Sequence, residues 1–122
     1  MNANPITTHI LDTGRGCPAK GVPIKLEIST TKEKPWNWVV VGEGVTNDDG
    51  RISGVLLNDP ASFKGGIYRI TFDTATYFAS IGGRTFYPTV EVFFEILDSE
   101  VQEHFHVPLL LSPFGFSTYR GS

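Results

Sequence analysis

The sequence contains little that would indicate a disulfide-stabilised, membrane-bound or nucleic-acid-binding protein. Its one cysteine, Cys17, cannot form a disulfide within the chain or assemble a thiolate metal cluster. No apolar run approaches the roughly 18 residues of a membrane span, and the start of the chain lacks the basic and apolar regions of a secretory signal. The 10 Lys and Arg residues are balanced by 13 Asp and Glu, with no long run of either sign. We therefore expect a cytoplasmic protein that binds neither nucleic acid nor membranes.

The common motifs of nucleotide binding and serine-hydrolase chemistry are also missing. There is no Gly-x-Ser-x-Gly elbow, and Gly14-Arg15-Gly16 and Gly82-Gly83 lack the spacing of phosphate-binding loops. Cys17 lies in Gly16-Cys17-Pro18, a sequence typical of a turn rather than of a reactive thiol. These absences predict a protein without a cofactor.

What the chain does contain is enough apolar sequence for one core. It has 122 residues, of which 40% are hydrophobic, and a domain of this size buries roughly two-thirds of its unfolded surface. We see no linker, internal repeat or low-complexity tract. We therefore expect a single domain over residues 1–122.

Alternating apolar and polar residues, rich in Val, Ile, Thr, Tyr and Phe, predict an all-β fold. The predicted strands cover 7–12, 22–28, 36–40, 51–57, 68–72, 90–96, 104–111 and 116–121. Asp73-Thr74 offers a helix cap, and Gly82-Gly83 a stop after a short helical spacing. Many short strands without alternating helices favour a sandwich of two sheets with one short helix.

One turn places a candidate cation. Asn47-Asp48-Asp49-Gly50 is typical of a tight turn, because Gly tolerates the positive φ that such hairpins need. The sequence therefore predicts a hairpin whose return strand begins at Arg51.

The three histidines of the chain fall at outward positions of predicted strands. Side chains alternate across a strand, so the penultimate strand has an apolar face of Phe105, Val107, Leu109 and Leu111 and an opposite face of His104, His106, Pro108 and Leu110. His9 likewise points away from the core, since its neighbours Thr8 and Ile10 face inward. We expect these imidazoles to converge with Arg51, although simple exposure to solvent explains each of them singly.

The His-x-His pair has a second interpretation. Alternate strand positions can present His104 and His106 to one zinc ion, with His9 as a third ligand. No carboxylate is spaced to complete such a site, and Arg51 would oppose a cation. We therefore expect no metal.

The chain closely resembles the transthyretin-related 5-hydroxyisourate hydrolases. The C-terminal run from His104 to Ser122, His-Phe-His-Val-Pro-Leu-Leu-Leu-Ser-Pro-Phe-Gly-Phe-Ser-Thr-Tyr-Arg-Gly-Ser, is similar to the signature of that family. Thr8-His9-Ile10-Leu11-Asp12 resembles its opening, and Thr46-Asn47-Asp48-Asp49-Gly50-Arg51 its middle motif.

The resemblance implies a transthyretin-like sandwich of two four-stranded sheets, assembled as a homotetramer, a dimer of dimers around a central channel. It also implies a site on the outer face of one sheet. The positions matching its active site are His9, Arg51 and His106, together with Tyr119, Arg120, Gly121 and Ser122 as substrate-binding residues.

The activity implied by the resemblance is hydrolysis of 5-hydroxyisourate in urate catabolism. We expect His106 and His9 to share the proton transfer from water, Arg51 to stabilise the developing oxyanion, and the terminal segment to close the pocket. Two alternatives stay open: a transthyretin-like carrier of small aromatic ligands, and a β-sandwich with only a structural role.

Overall fold

The structure, a computed structural model, describes residues 3–122. These residues form eight strands, one α-helix and two short 3-10 helices, Pro60–Ser62 and Asp98–Glu100. The strands are β1 (Ile6–Asp12), β2 (Cys17–Pro18), β3 (Pro23–Ser29), β4 (Trp38–Val45), β5 (Gly66–Phe72), β6 (Val90–Ile96), β7 (Phe105–Ser112) and β8 (Gly115–Thr118), and the helix α1 spans Thr74–Ser80. No helix in this part of the chain has the length and apolar character needed to cross a membrane.

The strands form two four-stranded sheets, as predicted. The first sheet has the order β2-β1-β7-β8 and the second the order β4-β3-β5-β6. β1 and β7 pair in parallel, whereas every other named pair within the described residues is antiparallel. The parallel pair brings the two ends of the described chain together at the centre of the first sheet.

The inner faces of the two sheets enclose the hydrophobic core. In β1, Ile6, Thr8, Ile10 and Asp12 are buried and the residues between them are half-buried. β7 buries Phe105, Val107, Leu109 and Leu111, the face predicted to be apolar. Burial of one such apolar side chain contributes about 1.5–3 kcal/mol. The alternation therefore fixes which side chains of β1 and β7 are left on the outer face.

The short helix follows its predicted signals. The side chain of Asp73 accepts a hydrogen bond from the backbone N–H of Thr76 at 3.0 Å, which caps the start of α1. Tyr77 and Phe78 are buried in the core. Gly82 has a φ of +73°, the left-handed conformation that ends many helices.

The predicted return strand over 51–57 is wrong. The turn itself forms, with Gly50 at a φ of +75°, but the following segment makes only a single bridge, between Leu57 and Gly42 of β4. A Cβ atom at Gly42 would overlap the carbonyl oxygen of Leu56, so the backbone of this segment packs closely against β4 at this point without extending the pairing into a strand. Leu56 and Leu57 are nevertheless buried, which explains their apolar character without a strand.

Smaller differences occur elsewhere. β4 spans Trp38–Val45 rather than 36–40, and β8 spans Gly115–Thr118 rather than 116–121. β2 forms where the sequence Gly16-Cys17-Pro18 was predicted to be a turn. Two residues pair too briefly to produce a readable alternation. Cys17 lies on this short strand and is half-buried.

Candidate functional site

Two of the three histidines, His9 in β1 and His106 in β7, lie on the outer face of the first sheet. In the parallel pair, Thr7 is opposite His106 and His9 is opposite Pro108. His9 and His106 are half-buried, and His104, just before β7, is exposed. The outward direction predicted for these side chains agrees with this burial pattern.

A threonine hydroxyl connects two of the imidazoles. Thr7 Oγ1 lies 2.8 Å from Nδ1 of His106 and 2.9 Å from Nε2 of His104. The rings of His104 and His106 have centroids 6.4 Å apart. Among residues 3–122, no three His, Cys, Asp or Glu side chains are grouped so that they could hold a metal ion.

His106 is surrounded by groups that disfavour its protonation. Burial, then the positive charge of Arg51, then His104 and His9, lower the pKa of His106 below its ordinary value of 6.5. The imidazole is therefore neutral at neutral pH and able to accept a proton. Arg51, His104 and His9 therefore each act electrostatically on the His106 ring.

Arg51 is presented by an ordered turn beside β1. The side-chain oxygen of Asn47 accepts hydrogen bonds from the backbone N–H of Asp49 at 2.9 Å and of Arg51 at 3.2 Å. The carbonyl of Gly50 accepts a hydrogen bond from the N–H of Ile10 in β1 at 2.9 Å. Arg51 is exposed, and no carboxylate among residues 3–122 forms an ion pair with it. Its charge is thus available to a ligand.

Two small cavities lie next to this group. One, of about 230 Å³, is lined by Arg51, Thr7 and His104 among others. The second, of about 270 Å³, is lined by His106 together with Tyr119 and Arg120, and extends to the β6 edge of the second sheet. Within one protomer, Arg51 and the Tyr119-Arg120 pair therefore line different cavities.

The C-terminal segment packs against His106 through one glycine. The N–H of Gly121 donates to the carbonyl of His106 at 2.8 Å. A Cβ atom at position 121 would lie 2.6 Å from Cδ2 of the imidazole, which is too close for any side chain. Glycine at this position therefore allows the backbone to contact the ring edge.

The other three residues of the segment are exposed. Arg120 lies with its guanidinium 4.6 Å from the centroid of the Phe105 ring and donates to Glu103 at 3.2 Å. The Tyr119 side chain is directed to the second cavity without a hydrogen bond from residues 3–122. Ser122 makes no hydrogen bond within the same residues. Of the predicted substrate-binding set, Gly121 has the direct contact with His106.

The arrangement favours a planar anion or a polarised carbonyl. The imidazole of His106 feels the charge of a guanidinium that has no ion-pair partner among residues 3–122. A ligand with developing negative charge would be attracted to the guanidinium, and its proton could pass to the imidazole. These are the elements of general base catalysis with electrostatic stabilisation.

Comparison with known proteins gives the family. A family model described as HIUase/Transthyretin family matches residues 6–121. The chain belongs to this family. It is 43% identical over 120 residues to the 5-hydroxyisourate hydrolase of Mus musculus, covering 98% of this chain and 97% of the mouse protein.

The HIUase/Transthyretin domain also occurs within longer proteins. The chain is 46% identical over 125 residues to the uric acid degradation bifunctional protein TTL of Arabidopsis thaliana. The aligned region covers 97% of this chain but only 37% of that protein. The crystal structure of sea bream transthyretin in complex with thyroxine has a TM-score of 0.82 and 32% identity, over 96% of this chain and 94% of that one. The predicted transthyretin-like sandwich is thereby confirmed.

Two residues that contribute to this family member's site were not found from the sequence. Thr7 contacts two histidines, and Asn47 orders the turn that carries Arg51. Alternation places Thr7 on the same face as His9, which is a usable signal, but the position of β1 relative to β7 cannot be read from one strand alone. Asn47 stood in a recognised turn motif, and its side-chain bonding is a common property of Asn in turns.

Proposed function

We propose that the chain hydrolyses 5-hydroxyisourate to 2-oxo-4-hydroxy-4-carboxy-5-ureidoimidazoline in urate catabolism. The observation that carries the proposal is the placement of His9 and His106 on one face of the paired strands β1 and β7, with Arg51 on the turn beside β1, in a chain 43% identical to a hydrolase of that name. Water adds to a ring carbonyl, the ring C–N bond breaks, and a carboxylate forms.

The first task of the site is to remove a proton from the attacking water. A base must be unprotonated at the working pH and able to return the proton to the leaving nitrogen. The lowered pKa of His106 meets the first condition. His9 lies on the same face, two residues further along β1 than Thr7, the partner of His106, and we assign to it a share in orienting the water.

The second task is to stabilise the negative charge that develops on the carbonyl oxygen. Arg51 remains charged and can donate two parallel hydrogen bonds to adjacent oxygen or nitrogen acceptors. Because Arg51 forms no ion pair with the described residues, its guanidinium donors are available to a ligand. Lysine would supply the charge but not the planar pair of donors.

The terminal residues Tyr119, Arg120, Gly121 and Ser122 complete the proposed pocket. Gly121 brings the segment against the His106 ring, and Tyr119 and Arg120 line the cavity that His106 also lines. We assign them to substrate binding. No metal and no organic cofactor takes part in the proposed reaction.

We also infer a cytoplasmic homotetramer, a dimer of dimers around a central channel. β6 and β8 each form one edge of their sheet, and each exposes an aromatic side chain, Phe93 at 45% and Phe116 at 42%. Unpaired edges with apolar side chains favour pairing with a second copy. In such an assembly, cavities that are separate in one protomer face those of a neighbour.

The test is to generate 5-hydroxyisourate from urate in situ and follow its ultraviolet decay with purified protein. We expect acceleration by the wild type. His106→Ala, in its native assembly, should lose on the order of 100-fold in kcat/KM, the scale of a lost general base. Activity within a few-fold of wild type would remove His106 from that role.

Arg51→Met should lower kcat/KM by on the order of 100-fold, as expected for a lost oxyanion donor. Arg84→Met is the matched control, because Arg84 is an exposed arginine in the loop after α1 and makes no ion pair among residues 3–122.

Dialysis against a strong chelator should leave turnover unchanged, and recovery of lost activity by zinc would favour the three-histidine metal site.

A carrier function is the competing outcome of the same assay. The likeness to transthyretin in complex with thyroxine makes binding of small aromatic ligands the alternative. Unchanged decay of the substrate together with retained ligand binding would favour the carrier and reject the hydrolase.

A further inference from the structure

One threonine hydroxyl lies between two imidazole rings on the outer face of the first sheet. Thr7 Oγ1 is 2.8 Å from Nδ1 of His106 and 2.9 Å from Nε2 of His104. We propose that Thr7, with His104 behind it, is a positioning residue that holds His106 in the tautomer whose Nε2 accepts the proton of water. This inference rests on the proposed function, since it names which nitrogen of which histidine is the base.

The hydroxyl limits how the protons are arranged. It carries one hydrogen and two acceptor lone pairs, so it can donate to only one of the two rings and accepts from a ring N–H of the other, or from both rings. In the first arrangement, Nδ1–H of His106 donates to Thr7 and Thr7 donates to Nε2 of His104. In the second, both bonds are reversed and the proton of neutral His106 lies on Nε2.

The second arrangement provides no base on His106. The first, like one in which Thr7 accepts from both rings, leaves a lone pair on Nε2 of His106, and no group among residues 3–122 hydrogen-bonds that nitrogen. After Nε2 takes a proton, Nδ1–H still donates to Thr7, so no hydrogen bond has to be remade. In the second arrangement the hydroxyl would have to reverse. A site that needs no such rearrangement is organised in advance for the reaction.

The local structure fits the first arrangement. Thr7 is β-branched and its χ1 is restricted, so the hydroxyl is held in place. It is the register partner of His106 in the parallel pair, while Gly121 contacts the Cδ2 edge of the same ring. His104 is exposed, so the Nδ1–H that the first arrangement requires on it can be hydrated.

The same contacts distinguish His106 from His9. No residue among 3–122 hydrogen-bonds the ring of His9, so nothing in the described chain fixes its tautomer. Arg51, His104 and His9 act on His106 as the charged or titratable neighbours, and the nearby Arg120 is paired with Glu103. His106 is therefore the base, and His9 is not.

The kinetic test compares Thr7→Val with Thr7→Ser. The valine variant keeps the branched shape without the hydroxyl and should lose on the order of 10-fold in kcat with KM changed less than about two-fold. Thr7→Ser should restore most of kcat. Thr13→Val is the matched control, because Thr13 follows the other end of β1 and its hydroxyl donates to a backbone carbonyl, that of Leu111, at 3.1 Å. Wild-type kcat in Thr7→Val would overturn the proposal.

A double-variant cycle tests whether His104 acts through Thr7. His104→Leu should lower kcat, and Thr7→Val/His104→Leu should be no slower than Thr7→Val alone, since both changes break one chain of hydrogen bonds. Losses that multiply would mean two independent roles and would contradict the proposal. Thermal unfolding of each variant separates these effects from loss of the fold.

Nitrogen-15 NMR of the histidine rings gives a readout without substrate. Wild-type His106 should carry its proton on Nδ1, and Thr7→Val should move it toward Nε2. If the wild type fails to hydrolyse 5-hydroxyisourate but shows the Nδ1–H tautomer, hydrolysis is rejected and the positioning of His106 by Thr7 is supported. If the wild type hydrolyses the substrate with His106 in the Nε2–H form, the positioning proposal is rejected and the proposed function stands.

Discussion

At the scale of single residues, the environment of His106 decides how it behaves. Its ring is half-buried, its Nδ1 is 2.8 Å from a hydroxyl, and its neighbours Arg51, His104 and His9 lower its pKa. A guanidinium beside an imidazole makes protonation unfavourable. Arg51 therefore has two proposed effects: it stabilises negative charge on the ligand, and it lowers the pKa of His106.

The effect on the base predicts a pH dependence. Because burial and then Arg51 lower the pKa of His106, the ring stays neutral to a pH below 6.5, the ordinary pKa of histidine. Removing the cation in Arg51→Met favours the imidazolium, so the pKa should rise. An NMR titration of the His106 ring should show a midpoint at higher pH in Arg51→Met than in wild type or Arg84→Met.

The pH dependence of activity should shift to higher pH in Arg51→Met, as the pKa of His106 does. The acidic limb of the kcat/KM profile reports the base of the free enzyme, so residual activity of Arg51→Met should begin to fall at higher pH than that of the wild type. A limb that moves to lower pH would contradict this assignment.

At the scale of elements, the terminal segment 119–122 and strand β7 act together. The contact of Gly121 with the His106 ring leaves no room for a methyl group. Gly121→Ala should therefore displace either the ring or the segment and lower kcat/KM by about 10-fold or more, the scale of a misplaced catalytic group. The melting temperature should change little, because the segment is outside the core.

Gly115→Ala is the control for that variant. A Cβ at Gly115 would meet only the Ser112 hydroxyl oxygen, at 3.7 Å, an ordinary contact. Equal losses of activity in the two variants would show that the effect does not depend on the His106 ring.

A polar network connects β1 to α1 at the other end of the sheet. Tyr77 donates from its hydroxyl to buried Asp12 at 2.6 Å, and the backbone N–H of Arg15 donates to the same carboxylate at 3.0 Å. Burial, followed by the hydrogen bond with Asp12, raises the pKa of Tyr77 to about 12. The hydroxyl is therefore a donor throughout the physiological pH range.

Tyr77→Phe should lower the free energy of unfolding by about 2 kcal/mol, because a buried charged acceptor loses its partner. Tyr68→Phe is the comparison, since Tyr68 donates to a neutral acceptor, the carbonyl of Lys64, at 2.5 Å, and should cost about 1 kcal/mol. Urea denaturation measures both. A smaller loss for Tyr77→Phe than for Tyr68→Phe would contradict the role of Asp12.

Elements with a full period of alternation could be predicted from the sequence, and short or irregular ones could not. β1, β5, β6 and β7 lie where the pattern predicted strands, and α1 follows its cap and its glycine stop. The 51–57 segment misled the prediction because Leu56 and Leu57 are apolar for a different reason, their burial in the core where the segment contacts β4 at a single bridge. Alternation reports burial, and burial does not require a strand.

At the scale of the whole molecule, the site depends on pairing between distant strands. The direction of each histidine could be predicted from its own strand, and Arg51 was indicated as the accompanying cation by the turn before it and by the resemblance to the family. The contact between Thr7 and His106 could not be predicted, because it depends on the register of β1 against β7. That register is set by packing across the entire core.

The proposed tetramer leads to a prediction at this scale. Leu110 is half-buried on the outer face of β7, next to Leu11 of β1, where a second pair of protomers would pack. Leu110→Glu should dissociate the assembly into smaller species and abolish most activity, because a buried unpaired carboxylate is costly. Analytical ultracentrifugation should show the lower mass, and Val45→Glu, at a residue 58% exposed in β4, should retain the wild-type mass.

The parallel pairing of β1 with β7 also determines when activity can arise during synthesis. Thr7 is separated by 99 residues from His106 and by 97 from His104, so a growing polypeptide emerging from the ribosome carries one half of the site long before the other exists. Contacts of such sequence separation form late and slowly. Nascent chains halted before β7 should be catalytically silent, and turnover should appear only after the last strands have left the exit tunnel.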